Sequence, residues 1–181
     1  MNNFVETVKI ILPILTVIGQ VVIVFLVILL LAGRKRWPLV FNFTADNSYI
    51  FSFIVALTAT SGSLFYSEVA GFTPCILCWY QRILMYPQVL LFGTALWKSE
   101  EKITDYTIVM SVVGAFIAGY HYLLQIGFLP ELPCSAVGFS VSCAQIFTMS
   151  LGYITIPLMA FTAFVMIMLL MAVKKRSNKN V

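Results

Sequence analysis

The sequence TPCILCWYQR puts a dithiol and a guanidinium close together: two residues separate Cys75 from Cys78, and Arg82 follows four residues later. A C-x-x-C spacing is associated with reversible disulfide chemistry. Because Pro74 precedes the pair and a long apolar run follows it, we expect Cys78 in the first turn of a helix. Free backbone N–H groups and the helix dipole there favour a thiolate, the species that attacks disulfides.

The other two cysteines, Cys134 and Cys143, form a second pair with eight residues between them, in a segment that contains Gly138 and several serines. A loop of this size can close a disulfide without strain and can also move. Two pairs in neighbouring loops favour thiol–disulfide exchange between them, so all four cysteines are candidate catalytic residues.

Two other uses of the cysteines remain open. Structural zinc is disfavoured because the second pair lacks the spacing of two to four residues that is usual for zinc ligands, and we predict no metal site. Two structural disulfides are possible outside the cytoplasm. However, a C-x-x-C disulfide closes so small a loop that it stabilises the fold very little.

Arg82 is a candidate residue for binding an electron acceptor, and His121 is a further candidate functional residue. Arg82 lies one helical turn after Cys78, about 6 Å further along the helix axis. It could extend to the lipid headgroups, but beneath a dithiol its cation could also stabilise a thiolate or donate to a carbonyl oxygen of the acceptor. His121, in AGYHYLLQ, is expected at a similar depth and could equally be an interfacial residue.

The elements that must position these residues are membrane helices. The chain has 181 residues, of which 61% are hydrophobic and only 10% charged, whereas about a quarter are charged in soluble domains. A membrane helix needs about 20 mostly apolar residues. Five segments qualify, and Arg82 is the only charge inside them: between Lys9 and Arg34, between Asp46 and Glu68, from Cys78 to Trp97, between Asp105 and Glu131, and from about Ser150 to Val173.

The net charge of +4 reflects the orientation of the chain in the membrane and does not indicate a nucleic-acid partner. In a five-span arrangement nearly all basic residues fall on one side, which the positive-inside rule makes cytoplasmic. The N-terminus is then outside, the C-terminus is cytoplasmic, and both cysteine loops are extracytoplasmic. The residues on the basic side are Arg34, Lys35, Arg36, Lys98, Lys102, Lys174, Lys175, Arg176 and Lys179.

The first apolar segment is expected to be a retained helix. It is longer than the core of a signal peptide, and basic residues follow it in LLLAGRKRW, where a cleavage site would need small residues. We interpret it as an anchor that is dispensable for chemistry. Residues 1–45 would therefore form an additional N-terminal helix and a cytoplasmic link, and residues 46–181 a four-helix transmembrane domain.

Three sequence features together resemble the DsbB/BdbC family of membrane thiol:quinone disulfide oxidoreductases. They are PCILCWYQR after one span, the paired second loop LPC…SC, and YITIPLMAFTAF in the last span. The resemblance covers about Tyr49 to Val173. It implies an all-α integral membrane fold, a four-helix bundle that holds a quinone, with the first helix of this chain as an addition.

The resemblance also implies a route for electrons and a location in the bacterial cell membrane. Cys134 would be attacked by a reduced extracytoplasmic thioredoxin-like oxidase of the DsbA/BdbD type. Cys143 would then exchange with Cys75, and Cys78 would pass two electrons to ubiquinone or menaquinone from the membrane pool. Arg82 matches the quinone-binding arginine of the family, and His121 roughly matches a histidine beside the quinone.

Two other functions compete with this interpretation. A vitamin-K-epoxide-reductase-like oxidase performs the same exchange on a similar bundle, but its loop pair precedes the C-x-x-C, whereas here the loop pair follows. A membrane scaffold or small transporter with structural disulfides would be no enzyme. Quinone reduction by the purified protein with a reduced thioredoxin-like partner separates these classes.

Overall fold

The computed structural model describes residues 2–98, 102–130 and 142–178, and within these ranges the regular structure is helical. The third helix continues directly into a π-helical turn, Phe65–Val69. The six helices are α1 Asn2–Arg36, α2 Pro38–Asp46, α3 Ser48–Leu64, α4 Ile76–Lys98, α5 Thr104–Gln125 and α6 Ile156–Asn178.

Four segments are long and apolar enough to cross a membrane: Val5–Arg36, Ser48–Val69, Thr104–Gln125 and Ile156–Asn178. The fourth helix, α4, has 23 residues, a sufficient length, but Gln81, Arg82 and Gln88 make it more polar. It packs against both α3 and α5 and connects the end of one to the start of the other. The chain is therefore an all-helical, multi-pass membrane bundle, as the composition predicted.

The two ends of the bundle differ in chemistry. At one end, Lys175 Nζ forms an ion pair with Asp105 Oδ1 at 2.6 Å, and Arg176 Nη1 donates to the carbonyl oxygen of Leu30 at 2.6 Å. We call this the basic end, because the last turns of α1, α4 and α6 carry basic side chains there. The starts of α4 and α6 and the end of α5 lie at the opposite end, which we call the cysteine end.

The additional helix shares the core of the bundle. Leu26 and Leu29 of α1 are buried in one cluster with Phe92 of α4 and Phe164 of α6. Helix α1 packs along α6, and the short helix α2 packs on α6 as well. The boundary at residue 46 stays a prediction, because residues on both sides of it contribute to this core.

Large apolar side chains cover the outside of the bundle. Phe116 is 77% exposed, and Leu90, Val109 and Ile18 also face outward. Exposed apolar surface of this extent marks a membrane contact in a chain of this composition. Some polar side chains inside the bundle pair between helices, as where Ser111 Oγ of α5 donates to Gln88 Oε1 of α4 at 3.1 Å.

Candidate active site

The dithiol lies at the start of α4, where the sequence predicted it. Cys75 immediately precedes the helix and Cys78 lies in its first turn, and their Sγ atoms are 3.3 Å apart. The first N–H groups of a helix have no partner within the helix, and its dipole favours negative charge. This position favours a thiolate on Cys78 over one on Cys75. The hydrogen bond to Cys78 and the burial of Cys75 raise the pKa of the Cys75 thiol to about 12.

His121 of α5 is buried beside the dithiol. Its Nε2 lies 3.0 Å from the carbonyl oxygen of Cys143 and 3.7 Å from Cys75 Sγ, and its Nδ1 lies 3.0 Å from Gln81 Nε2. A carbonyl oxygen can only accept, so Nε2 carries the proton and Nδ1 accepts from the Gln81 amide. The imidazole thus presents its Nε2–H to both Cys143 and Cys75.

Cys143 belongs to the same buried cluster as Cys75, together with Leu77 and Leu124. The segment that carries Cys143 is attached to α5 twice, through His121 and through Gln125 Nε2, which donates to the carbonyl oxygen of Gln145 at 2.9 Å. The structure thus brings three of the four cysteines to the cysteine end. Cys134 lies outside the described residues.

Arg82 faces α3 from the second turn of α4. Its Nε donates to Ser63 Oγ at 3.0 Å and its Nη2 to the Ser63 carbonyl oxygen at 3.1 Å, while Tyr86 Oη donates to the same hydroxyl at 3.2 Å. The guanidinium also lies 5.3 Å from the ring centroid of Trp79. A guanidinium has five N–H donors, so Arg82 is held in place and still has donors for a ligand.

A cavity of about 320 Å³ opens beside Arg82, within the range of about 300–1,000 Å³ that is usual for small-molecule sites. Cys78, Gln81 and Arg82 line it from α4, and apolar residues of α1, α3 and α6 form most of the remaining wall. An apolar cavity with a few polar groups at one end suits a planar apolar ligand that carries carbonyl oxygens. The residues present therefore fit a quinone ring.

Three potential metal ligands also meet here. The ligand atoms of Cys75, Cys78 and His121 all lie within 4.8 Å of one another. Two sulfurs and one imidazole nitrogen are zinc-type ligands. A metal would occupy the two thiolates that disulfide exchange requires, and the absence of a metal site stays a prediction.

Two residues of the site were not predicted from the sequence. Gln81 holds His121 in place, and Ser63 holds Arg82. Gln81 had a detectable signal, since it is an amide between Cys78 and Arg82 in an otherwise apolar segment. Ser63 gave no such signal, because its partner lies 19 residues away on another helix. The contribution of α1 to the cavity wall was also missed.

Comparisons with known proteins identify one family. The family model "Disulfide bond formation protein DsbB" matches residues 45–174. "Disulfide bond formation protein C" of Bacillus subtilis (strain 168) is 44% identical over 126 residues, which cover 68% of this chain and 89% of that protein. A "Probable disulfide formation protein" of Oceanobacillus iheyensis is 42% identical over 127 residues, 70% of this chain and 87% of the relative. No solved structure matches.

Proposed function

The chain belongs to the DsbB family of disulfide bond formation proteins, and from this premise we propose that it oxidises an extracytoplasmic thioredoxin-like oxidase and transfers the electrons to a membrane quinone. Its role in disulfide bond formation and its place in a membrane follow from the family and the helices. The partner, the acceptor and the roles of individual residues are our proposal.

The observation that carries the proposal is the different surroundings of the two cysteines in the C-x-x-C. Cys75 is buried in one cluster with Cys143, and Cys78 packs against this cluster while only partly buried. Cys78 also lines the cavity that contains Arg82, whereas Cys75 does not. This difference supports exchange of Cys75 with Cys143 and delivery of electrons from Cys78 to a ligand in the cavity.

The first exchange takes place at the loop pair. A thiolate of the partner attacks Cys134 of the Cys134–Cys143 disulfide, which breaks that bond and releases the Cys143 thiolate. Cys143 then attacks Cys75 of the Cys75–Cys78 disulfide, and Cys78 leaves as a thiolate. Its position at the start of α4 stabilises the negative charge that this step creates.

The second exchange returns the loop pair to its oxidised form. The partner's second thiol resolves the mixed disulfide, which oxidises the partner and releases Cys134. Cys134 attacks Cys143, the Cys75–Cys143 bond breaks, and Cys75 leaves beside the N–H of His121. Two electrons have then moved from the partner to Cys75 and Cys78, and reoxidation of this pair releases two electrons and two protons.

Arg82 and the cavity wall would hold the acceptor. A quinone, either ubiquinone or menaquinone, would take up the two electrons and two protons when bound. The remaining N–H groups of Arg82 are suited to donate to one of its carbonyl oxygens, and Ser63 keeps the guanidinium oriented. Cys78 is the cysteine from which the electron pair leaves the protein, because its side chain lines this cavity.

We place the protein in the bacterial cell membrane with the cysteine end outside. Excess basic residues mark the cytoplasmic side of membrane proteins, and they cluster at the other end of this bundle. In this orientation the loop pair meets an exported partner in a compartment where disulfides persist.

The test is quinone reduction by the purified protein in lipid nanodiscs, with a reduced thioredoxin-like partner. We expect one quinol for each disulfide formed in the partner. The variant Cys134→Ser should stop oxidation of the partner, while a small dithiol that reduces Cys75 and Cys78 directly should still drive quinol formation. Partner oxidation without quinol formation would refute the proposed acceptor.

A further inference from the structure

One wall of the cavity beside Arg82 comes from a helix that precedes the matched family region. Helix α1 ends at Arg36, and the family match begins at residue 45. The side chain of Leu12 also packs against α3, where a Cβ on Gly62 would lie 3.3 Å from Leu12 Cδ2. The α1 residues in the cavity wall are Leu12, Leu15, Thr16, Ile18, Gly19 and Val22.

A second cavity, of about 490 Å³, lies next to the first, towards the basic end. We call it the tail crevice, and α1, α2, α3 and α6 line it. Its only polar side chain is Thr44, whose hydroxyl already donates to the carbonyl oxygen of Val40 at 2.8 Å. The two cavities adjoin each other, because they share the lining residues Val22, Ile54, Val55 and Met166.

Helix α1 is fixed in this position at several points. Tyr153 Oη, in the segment before α6, donates to Gln20 Oε1 at 3.0 Å, and Arg176 of α6 donates to the carbonyl oxygen of Leu30. Between these points α1 approaches α6 closely, since a Cβ on Gly19 would lie 3.1 Å from Thr162 Cγ2. The wall is therefore part of the packed bundle.

We propose that α1 completes the acceptor site and that the tail crevice binds the apolar side chain of a long-chain quinone. This inference rests on the proposed function, in which the quinone ring lies beside Arg82. The ligand must then be polar at one end and apolar along the rest, because the polar groups of the first cavity give way to an apolar crevice. A quinone with a polyprenyl chain has this chemistry, and the shared residues put the tail crevice directly next to the cavity for the ring.

Val22 and Val21 offer a matched pair of substitutions. Val22 lines both cavities, so Val22→Phe places a ring where the two adjoin. Val21 is 65% exposed and lines neither cavity, so Val21→Phe adds the same ring on the lipid side. Val22 is itself 37% exposed, so neither substitution is made at a fully buried position.

The readout is quenching of Trp79 fluorescence by bound quinone in the full-length protein, which requires no turnover. Trp79 lies against Arg82, and Trp37→Phe with Trp97→Phe removes the two tryptophans of the basic end. We expect Val22→Phe to weaken binding of a quinone with a long prenyl chain about tenfold or more. Binding of the same ring without a chain should change less than about twofold, and Val21→Phe should change neither.

The possible results separate this inference from the proposed function. If Val22→Phe binds both quinones like Val21→Phe, the tail crevice is not the site of the chain, although the ring site stands. An equal loss of affinity for both quinones would place Val22 at the ring site and would also overturn the inference. Without saturable quenching by either quinone in the protein with native Val21 and Val22, both proposals fail.

A labelling experiment tests the crevice without any substitution. A quinone with a photoreactive diazirine at the end of its chain is bound to the unchanged protein and irradiated, and the labelled peptides are identified by mass spectrometry. We expect label on α1 and α2, at residues that line the tail crevice, and competition by unlabelled long-chain quinone. Label confined to the outer face of α5, which lines neither cavity, would contradict the inference.

Discussion

At the scale of single residues, two hydrogen bonds to Ser63 of α3 hold the Arg82 guanidinium. They also fix the direction of the N–H groups that Ser63 does not bind. If these N–H groups bind a quinone oxygen, Arg82→Ala removes a charge-assisted hydrogen bond, which contributes about 1.5–3 kcal/mol. We expect the apparent KM for quinone to rise roughly ten- to a hundredfold. Steady-state quinone reduction measures this change, and the four cysteines should still form disulfides.

Two further variants control for charge and shape. Arg82→Lys should restore only part of the affinity, because lysine lacks the planar arrangement of donors. Lys98→Ala removes a positive charge from the exposed far end of the same helix and should leave the KM unchanged. An unaltered quinone dependence in Arg82→Ala would show that the guanidinium does not bind the quinone.

The protonation of Cys75 gives a prediction with a definite sign. Because the pKa of this thiol is raised to about 12, the thiol stays protonated at neutral pH in the reduced protein. Its alkylation rate should therefore keep rising through pH 10, where an ordinary thiol with a pKa of about 8.5 has levelled off. Alkylation at several pH values, followed by mass spectrometry of the Cys75 peptide, measures the profile.

Removing the side chain of Cys78 and removing that of His121 should shift the pH profile of Cys75 alkylation in opposite directions. The hydrogen bond with Cys78 is the largest cause of the raised pKa, so Cys78→Ala should lower the pKa of Cys75. The hydrogen bond with His121 acts to lower the pKa, so His121→Ala should raise it further. Shifts in the same direction for both variants would contradict the arrangement of the site.

The positions of the candidate site residues could be predicted from the sequence, but the residues that contact them could not. Cys75, Cys78 and Arg82 were identified because they are close in sequence, where helical geometry fixes their spacing. His121 was expected only at a similar depth. Its contact with Gln81 joins residues 40 positions apart and depends on how α4 and α5 pack. Periodicity within one helix carries no information about such contacts.

At the scale of elements, α5 and α6 approach each other closely at Gly114. A Cβ built on Gly114 would overlap the ring of Phe164, which is fully buried. Gly114→Ala must therefore displace a core side chain, and overpacking of this kind costs about 1–3 kcal/mol of stability. Thermal denaturation in detergent, followed by circular dichroism, should show a lower midpoint.

Gly119→Ala is the matched control for this prediction. It lies on the same helix, and its added Cβ would be 3.4 Å from Phe161 Cε2, an ordinary contact. We expect little change in its midpoint. The double variant Gly114→Ala/Phe164→Leu should recover part of the lost stability, and an unchanged midpoint for Gly114→Ala alone would mean that the two helices are further apart.

The elements themselves were largely predictable, because a bilayer imposes a length and an apolar composition on every spanning helix. The start of α4 followed from Pro74 and the apolar run after it. The segment after the first span was expected only as a cytoplasmic link, whereas Pro38–Asp46 forms a helix that buries Phe41 and Ala45. The packing of α1 into the bundle could not be read from hydropathy, since a helix exposed to lipid and one buried in protein are both apolar.

At the scale of the whole molecule, charge distinguishes the two ends of the bundle. Basic side chains at the ends of α1, α4 and α6 lie at one end, and the dithiol and His121 lie at the other. The ion pair between Lys175 and Asp105 ties the end of α6 to the start of α5 at the basic end. A single orientation in the membrane therefore decides on which side the disulfide chemistry occurs.

That orientation is tested with single cysteines in a variant whose four native cysteines are replaced by serine. Thr73→Cys places an exposed thiol at the cysteine end, and Asn178→Cys places one at the basic end. Because the positive-inside rule puts the basic end in the cytoplasm, a membrane-impermeant maleimide should label only Thr73→Cys on intact spheroplasts. Asn178→Cys should react once the membrane is opened. The reverse pattern would place the dithiol in the reducing cytoplasm and exclude an exported partner.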